Sequence, residues 1–456
     1  MSSSLAKSVI TENKLPDVDR LKNIINDVLR LAQQNGASQA EAGANVESGL
    51  SVTVRLGEVE VVEHNRDKGL GVTVYFDKRK GSASTTDYSE QAILNTVNAA
   101  CDIARYTSDD EFSGLADKSL MATSFPDLDL YHPWDINTKS AIDIAKECES
   151  IAQNFDSRIT NSEGASVNSH TGLRIYGNSH GFLGHYPSSR HSINCALIAE
   201  ADNVMQRDYW YSVARDPLDL DSVNNIAQKV AERTLARLGS RKIKTIQTPV
   251  IYSSEIAGGI IGHFLRGING SLLYRDASFL LNSIDTKIFP DFLSIIELPH
   301  IVKGMGSAAF DTEGVATQSR EWMTEGVVQN YILNSYSARK LGMQTTGNAG
   351  GVRNIRIKNK LDEINLSQLL KTMGTGLYIT ELMGQGVNMV NGDYSRGAAG
   401  FWVENGEIQY PVEEITVAGN LPDMFSQIVN IASDVDTRGN IQCGSILIEK
   451  MQIAGN

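Results

Sequence analysis

Three stretches near the N-terminus alternate apolar with polar residues: Ser51-Val-Thr-Val-Arg55, Glu58-Val-Glu-Val-Val62 and Gly71-Val-Thr-Val-Tyr-Phe76. A period of two puts successive side chains on opposite faces of a strand, so these stretches read as a strand meander with one buried face. Both flanks are helical. Over residues 18–32, Val18, Leu21, Ile24, Ile25, Val28, Leu29 and Ala32 form one stripe, ended by Asn35-Gly36, and a second helix is expected over 89–105. Asp77-Lys78-Arg79-Lys80-Gly81 reads as a charged hairpin turn, its three cations a solvated tip rather than a phosphate patch.

Periodicity disappears over residues 106–137, where seven acids face a single Lys118 and Pro126 and Pro133 interrupt the chain. That stretch reads as a surface connection. A helix over 136–154 follows, then short strands punctuated by Asn161-Ser-Glu-Gly164 and Asn178-Ser-His-Gly181, read as successive hairpin corners, and a helix over 222–238. From Pro249 onward glycine becomes dense; helices are expected over 255–268 and 423–431, with a helical turn at 335–341. Glu404-Asn405-Gly406-Glu407 signals a type I′ hairpin, since both central residues need positive φ. The fold class is therefore α+β. An N-terminal α/β sandwich-like region, 1–243 with a sub-boundary near 107–136, precedes a mostly antiparallel β-rich C-terminal domain, 244–456.

Charge and composition narrow the function. Lysine plus arginine total 41 against 54 aspartates and glutamates, a net charge of −13, which opposes direct binding of nucleic acid or an anionic membrane. No apolar run is long enough for a membrane span, and Met1-Ser2-Ser3-Ser4-Leu5-Ala6-Lys7 lacks the apolar core of a signal peptide. Cys101, Cys148, Cys195 and Cys443 lie far apart and fit free thiols in a reducing cytosol.

Four constellations bear on chemistry. Gly177-Asn178-Ser179-His180-Gly181 matches G-x-S-x-G literally, but Gly181, Gly184, Pro187 and Ser188-Ser189 cannot continue as the helix that a nucleophile elbow requires; a hairpin turn is the better reading. His170, His180, His185 and His191, with Cys195 behind them, have no familiar zinc-ligand spacing. No histidine is followed by glutamate, so H-E-x-x-H is absent, as are the P-loop and a helix-opening G-x-G-x-x-G. Gly374-Thr-Gly376 and Gly384-Gln-Gly386 sit in strand-like surroundings, where glycine serves bulges and close backbone approach. In the fourth, Ser253 or Ser254 suits an N-cap and Glu255 the helix dipole. His263 lies about 12 Å along the axis from Glu255, too far to share an ion. Gly258 and Gly259, each costing about 1 kcal/mol relative to alanine, imply another backbone close by.

At this helix and beyond it, longer motifs accumulate. Tyr274-Arg275, Pro290-Asp291, Phe310-Asp311-Thr-Glu313-Gly314, Ser335-Tyr-Ser-Ala-Arg-Lys-Leu-Gly342 and Met373-Gly-Thr-Gly-Leu377 are joined by Thr380-Glu-Leu-Met-Gly-Gln-Gly386, Gly392-Asp-Tyr-Ser-Arg-Gly-Ala-Ala-Gly-Phe-Trp402 and Asn440-Ile-Gln-Cys-Gly444. Together they resemble the TldD/PmbA family, most closely its PmbA (TldE) branch, over most of the chain and most densely from about residue 249. The resemblance implies a cytosolic two-subunit metalloprotease that trims modified peptides and degrades unfolded chains, a family once described as modulators of DNA gyrase.

The family's TldD-type subunit carries H-E-x-x-x-H on this helix and a C-terminal cysteine as zinc ligands. Here the matching positions read Ser254, Glu255 and Gly259, with Cys443 in the cysteine context. A serine hydroxyl poorly replaces an imidazole, glycine offers no donor, and one thiolate cannot hold a catalytic zinc that needs three protein ligands. The resemblance thus implies a chain without a bound metal of its own, zinc in a TldD-type partner, and a dimer around the active site, a homodimer included. It also implies an extended peptide added as a β-strand, with Thr375–Asn388 (Gly376, Tyr378, Thr380, Gly384 and Gly386) as the receiving segment and core strands with tight bends as the alternative. Two other readings stand beside it: a stand-alone regulatory or binding protein of the gyrase-modulator type, and a hydrolase using Cys443 or Ser179.

Overall fold

The alternation at 51–76 belongs to a much longer ladder. In the computed structural model, which describes residues 17–455, the N-terminal half is one pattern used twice. Helix α1 (Val18–Gln34), strands β1 (Gln39–Arg55), β2 (Glu58–Phe76) and β3 (Arg79–Thr85), and helix α2 (Glu90–Tyr106) form the first copy. Helix α3 (Thr138–Gln153), strands β4 (Ile159–Asn178), β5 (Leu183–Ala201) and β6 (Val204–Ala214), and helix α4 (Val223–Ala236) form the second. All six strands join one antiparallel sheet in the order β3-β2-β1-β4-β5-β6, so the copies meet at the β1–β4 pair about an approximate two-fold.

Alternate residues decide what each face does. Ala40, Ala42 and Ala44 pack with Leu70, Val72 and Val74 beneath α1 and α2, while Leu50, Val52 and Val54 pack with Ala165, Val167, Ile193 and Leu197 beneath α3 and α4. The opposite face is polar. Each helix starts where a side chain accepts a first-turn N–H: Asp17, Ser89, Asn137 and Ser222. Cys101, Cys148, Cys195 and Cys443 are buried free thiols.

The C-terminal half begins with β7 (Ile246–Tyr252), α5 (Ser254–Gly267) and α6 (Gly270–Leu273), followed by β8 (Leu293–Glu297), β9 (Arg320–Thr324) and β10 (Val327–Val328). Next come α7 (Ser335–Lys340), β11 (Ile355–Asn359), α8 (Leu366–Met373), β12 (Gly376–Met383), β13 (Asp393–Glu404) and β14 (Glu407–Asn420). Helix α9 (Leu421–Ser426) and strands β15 (Ile428–Ile431), β16 (Ile441–Gln442) and β17 (Ile446–Ala454) complete it. Two sheets result, β10-β9-β8-β11-β16 and β14-β13-β12-β7-β17-β15, and an extra β14–β17 pairing curls the second towards a barrel. Tyr252, Phe264, Phe289, Trp322 and Phe425 share one core with strand residues of both sheets.

Several expectations need correction. The first sheet's strands are not short, since β4 alone has 20 residues. Asn161–Gly164 is consequently no hairpin corner but a bulge within β4, where the register to β5 slips and Gly164 takes φ 107°. Asn178–Gly181 does form the β4–β5 turn. The helix expected over 423–431 stops at Ser426 because Ile428 and Ile431 enter a ladder with β17, and α8 was not foreseen. Asn405 (φ 53°) and Gly406 (φ 77°) make the expected turn between β13 and β14. Met1–Lys7 lie outside the described residues. Among the described residues no helix is long and apolar enough to cross a membrane.

Candidate functional site

Strand β7 runs directly into α5 through Ser253, the N-cap residue, whose side chain makes no cap bond. The Ser254 N–H instead donates to Ser445 Oγ (3.0 Å), and Ser445 is held by Asp434 through its N–H (2.9 Å) and its hydroxyl (2.7 Å). The Cys443-Gly444-Ser445 segment thus closes over the helix start. A Cβ on Gly444 would run into the Ala432 carbonyl, so only glycine fits there. Along α5 the two glycines differ: a Cβ on Gly258 would sit 3.3 Å from Ile441 O, but one on Gly259 meets nothing within 4 Å. The close backbone expected at both is present at Gly258 alone.

Glu255 is engaged. Its Oε1 lies 2.8 Å from Arg233 Nη1 on α4, and Arg233 also faces Asp208 of β6 at 3.4 Å and stacks 5.0 Å from the Trp210 ring centroid. Arg237, which caps the end of that helix, bridges Asp208 (3.8 Å) and Glu381 (2.5 Å). Arg438 lies over Trp210 and Tyr211 at 4.1 and 4.3 Å and pairs with Asp436 at 2.8 Å. Burial pushes the Glu255 carboxyl up, and Arg233 and Arg438 pull it back. This arginine clamp joins the six-stranded sheet to the C-terminal half.

Cys443 is fully buried; burial and then Asp434 push its thiol up, and Sγ sits 3.2 Å from Gly444 O. A thiol held protonated is a poor nucleophile. Among the described residues no group of three or more His, Cys, Asp or Glu side chains is placed to hold a metal ion.

Strand β12 is central rather than at an edge. Leu377, Tyr378 and Ile379 pair with β7 on one side and with β13 on the other. Beyond Ile379, β7 has turned into α5, so 380–383 pairs with β13 alone, and the register slips at Thr380. Burial first, then the Glu255 and Asp434 charges, push the Tyr378 hydroxyl up, and next to it the Ile379 carbonyl accepts the Ser253 N–H at the α5 start (2.9 Å). A Cβ on Gly386 would strike Ser395 O, whereas Gly384 (φ 76°) stands clear. Glu255, Tyr378, Thr380 and Cys443 therefore belong to one neighbourhood, with Gly384 and Gly386 in the turn past the end of β12.

The other constellations resolve as structure. Ser179 lies in a strand–turn–strand, accepting from the Ala40 N–H (3.0 Å). His191 uses both ring nitrogens, on Ser169 Oγ (3.0 Å) and His132 O (2.7 Å), and Cys195 is buried beneath α3. Phe310-Asp311-Thr-Glu313-Gly314 and Ser335-Tyr-Ser-Ala-Arg339 lock the irregular connection in place. Arg339 donates to the carbonyls of Phe112 (2.8 Å), Gly114 (3.0 Å) and Leu115, and Tyr336 donates to Asp110 (2.8 Å).

In that joint Asp311 accepts N–H bonds from Glu313, Val315 and Ala349, yet burial and then the Glu313 charge push its carboxyl up to about 7; burial pushes Glu313 up as well. A carboxyl raised by folding stabilises the fold fully below its unfolded value, 3.8 here, and that contribution is lost as pH rises through about 7. The melting temperature of the wild-type chain should thus fall more steeply from about pH 5 to pH 8 than that of Glu313→Gln. Parallel curves would refute this.

Sequence reading found Glu255 and Cys443 but missed Arg233, Arg438, Trp210 and Asp208; a lone signal was the polar Asp208 at a strand position facing a helix.

Family models described as PmbA/TldA metallopeptidase domain 1, central domain and C-terminal domain match residues 40–104, 131–238 and 245–455. The chain is 51% identical to metalloprotease PmbA of Escherichia coli O157:H7 over 95% of its own length and 96% of that protein. It is 49% identical to the metalloprotease PmbA homologue of Haemophilus influenzae, over 96% of each. A crystal structure from Bacteroides thetaiotaomicron, described as a candidate modulator of DNA gyrase, superposes with a TM-score of 0.90 at 28% identity, covering 96% of this chain and 99% of that one. On this agreement of motifs, fold and relatives, the chain belongs to the PmbA/TldD family of metallopeptidases.

Proposed function

We propose that this chain is the PmbA/TldE-type subunit of a cytosolic two-chain metalloprotease, contributing fold and substrate handling while a TldD-type chain supplies the zinc. One observation carries the reading: Glu255, the single residue that matches the family's metal motif on α5, is ion-paired to Arg233 at 2.8 Å. A general base must be free to take a proton from metal-bound water, and a carboxylate held by a guanidinium is not. Ser254 and Gly259 add no imidazole, and Cys443 offers a single buried sulfur. This donor set does not fit a zinc ion.

In this reading Thr380 and the short edge beyond it receive an extended stretch of unfolded or modified peptide by backbone pairing, with Tyr378, Gly384 and Gly386 around it. The two working regions are 1–243, subdivided near 107–136, and 244–456. The test is to mix purified chain with a TldD-type subunit and an unfolded peptide. Cleavage is expected in the mixture and not with this chain alone. Failure of every such mixture, or turnover by this chain alone that Cys443→Ala abolishes, would overturn the proposal.

A second reading, a regulator of gyrase, draws on the description of the Bacteroides neighbour. A pull-down that recovers gyrase and never a TldD-type chain would favour it.

A further inference from the structure

The polar face of the first sheet carries a cleft of about 370 Å³ over β5 and β6. Alternation decides its lining. In β5, Ile193, Cys195 and Leu197 turn towards the helices, which sends Arg190, Ser192 and Asn194 to the other face. In β6 that face takes Arg207, Tyr209 and Tyr211. These side chains offer two guanidiniums, two phenols, a hydroxyl and an amide. No carboxylate lines the cleft, in a chain whose net charge is −13.

The cations here are short of partners. Arg190 is exposed and makes no ion pair among the described residues. Arg207 meets Glu163 at 2.6 Å, but both side chains are exposed, so water and salt weaken the contact. Just past the last β5–β6 pair, His191 with Ala214, Arg215 donates to the carbonyls of Ser189 (2.9 Å) and Met305 (2.7 Å). Its Nε is buried without a hydrogen-bond partner, and the adjoining Asp216 is taken by Lys303 (2.7 Å) and His132 (3.3 Å). Burial, and then the Arg190 charge, pull Arg215 down. Between the cations Tyr209 and Tyr211 stack with centroids 6.3 Å apart, and Tyr209 stays half exposed. Arg438 covers Tyr211 at 4.3 Å and so joins the cleft to the clamp at α5.

We infer that this cleft receives an extended acidic peptide, its carboxylates on Arg190 and Arg207 and its middle on the two tyrosine rings. Spacing selects that occupant. Arg207 stands opposite Ile198, eight residues along β5 from Arg190, so the two guanidiniums are rooted about 26 Å apart. A single small anion cannot engage both. An extended chain of roughly eight residues with an acid towards each end can, through charge-assisted hydrogen bonds. Nucleic acid carries a charge at every nucleotide and is opposed by the charge of the whole chain. The inference rests on the substrate-handling role proposed above and adds the chemistry of the substrate. The alternative is a solvated face whose arginines only offset the acids elsewhere.

The test is fluorescence anisotropy on the full chain with a labelled peptide of about ten residues, glutamates towards both ends and tyrosine at the centre. Its counterpart has glutamine in place of every glutamate. The acidic peptide should bind roughly tenfold or more tightly at about 50 mM salt, and the preference should shrink at about 200 mM. Arg190→Gln should remove most of that preference and Arg190→Lys less of it, because the charge stays while the planar fork is lost. Equal affinity for the two peptides, no binding of either, or a preference that Arg190→Gln leaves intact would overturn the inference. So would tighter binding of a single-stranded oligonucleotide of matched charge. Cleavage by the mixture with a TldD-type chain, where this preference is missing, would sink the inference and leave the subunit assignment standing. A clear preference in a chain that no such mixture activates would do the reverse.

Discussion

Replacing Arg233 with alanine should destabilise the folded chain by roughly 3 kcal/mol and lower its melting temperature by about 6–12 °C. Its side chain is 17% exposed and meets Glu255 at 2.8 Å and Asp208 at 3.4 Å. Removing one partner of a largely buried pair costs about 3–5 kcal/mol, because the other charge remains without its counter-ion. The lower end applies here, since Arg237 still faces Asp208 and Arg438 still acts on Glu255. The Trp210 stacking is lost too. Because the cost is a stranded charge, adding Glu255→Gln to Arg233→Ala should return about 1 kcal/mol. Thermal denaturation of the four proteins in this cycle measures both quantities; a change within about 0.5 kcal/mol for Arg233→Ala would mean the clamp is only a surface decoration.

Gly444→Ala should cost about 3 kcal/mol or more although it adds a single methyl. The new Cβ would run into the Ala432 carbonyl, and that contact is backbone against backbone, with no side chain able to swing aside. Relief requires moving a segment that holds the Ala432 N–H on Ser445 O (2.9 Å) and Ser445 on both Asp434 and the first N–H of α5. Cys443→Ala next to it only empties a small buried volume and should cost about 1–2 kcal/mol. Calorimetry that ranks Cys443→Ala as the more damaging change would contradict this account of the α5 start.

Local signals in the chain carried far, and long-range ones did not. Helix α1 was legible because its apolar stripe and the Asn35-Gly36 stop lie within a few residues of one another. The β13–β14 turn was legible for the same reason, since Asn405-Gly406 sets it alone. The first half of β1 escaped because its buried face is built of Ala40, Ala42 and Ala44, which alternate but carry little strand preference. Residues 63–68 of β2 escaped because both faces are exposed, leaving no period to read. The paired pattern was hidden in topology, as its copies share arrangement rather than residues. At the site, Glu255 and Cys443 stood out by resemblance. The clamp did not, because Arg438 reaches the Tyr211 carbonyl across 227 positions of sequence.

The most direct test of the central claim is elemental analysis of the purified chain after equilibration with excess zinc and removal of unbound metal. A chain whose α5 offers Ser254, an ion-paired Glu255 and Gly259 should retain far less than stoichiometric zinc, and Cys443→Ala should not change that amount. Stoichiometric zinc that disappears in Cys443→Ala would place a metal centre in this chain and contradict the account.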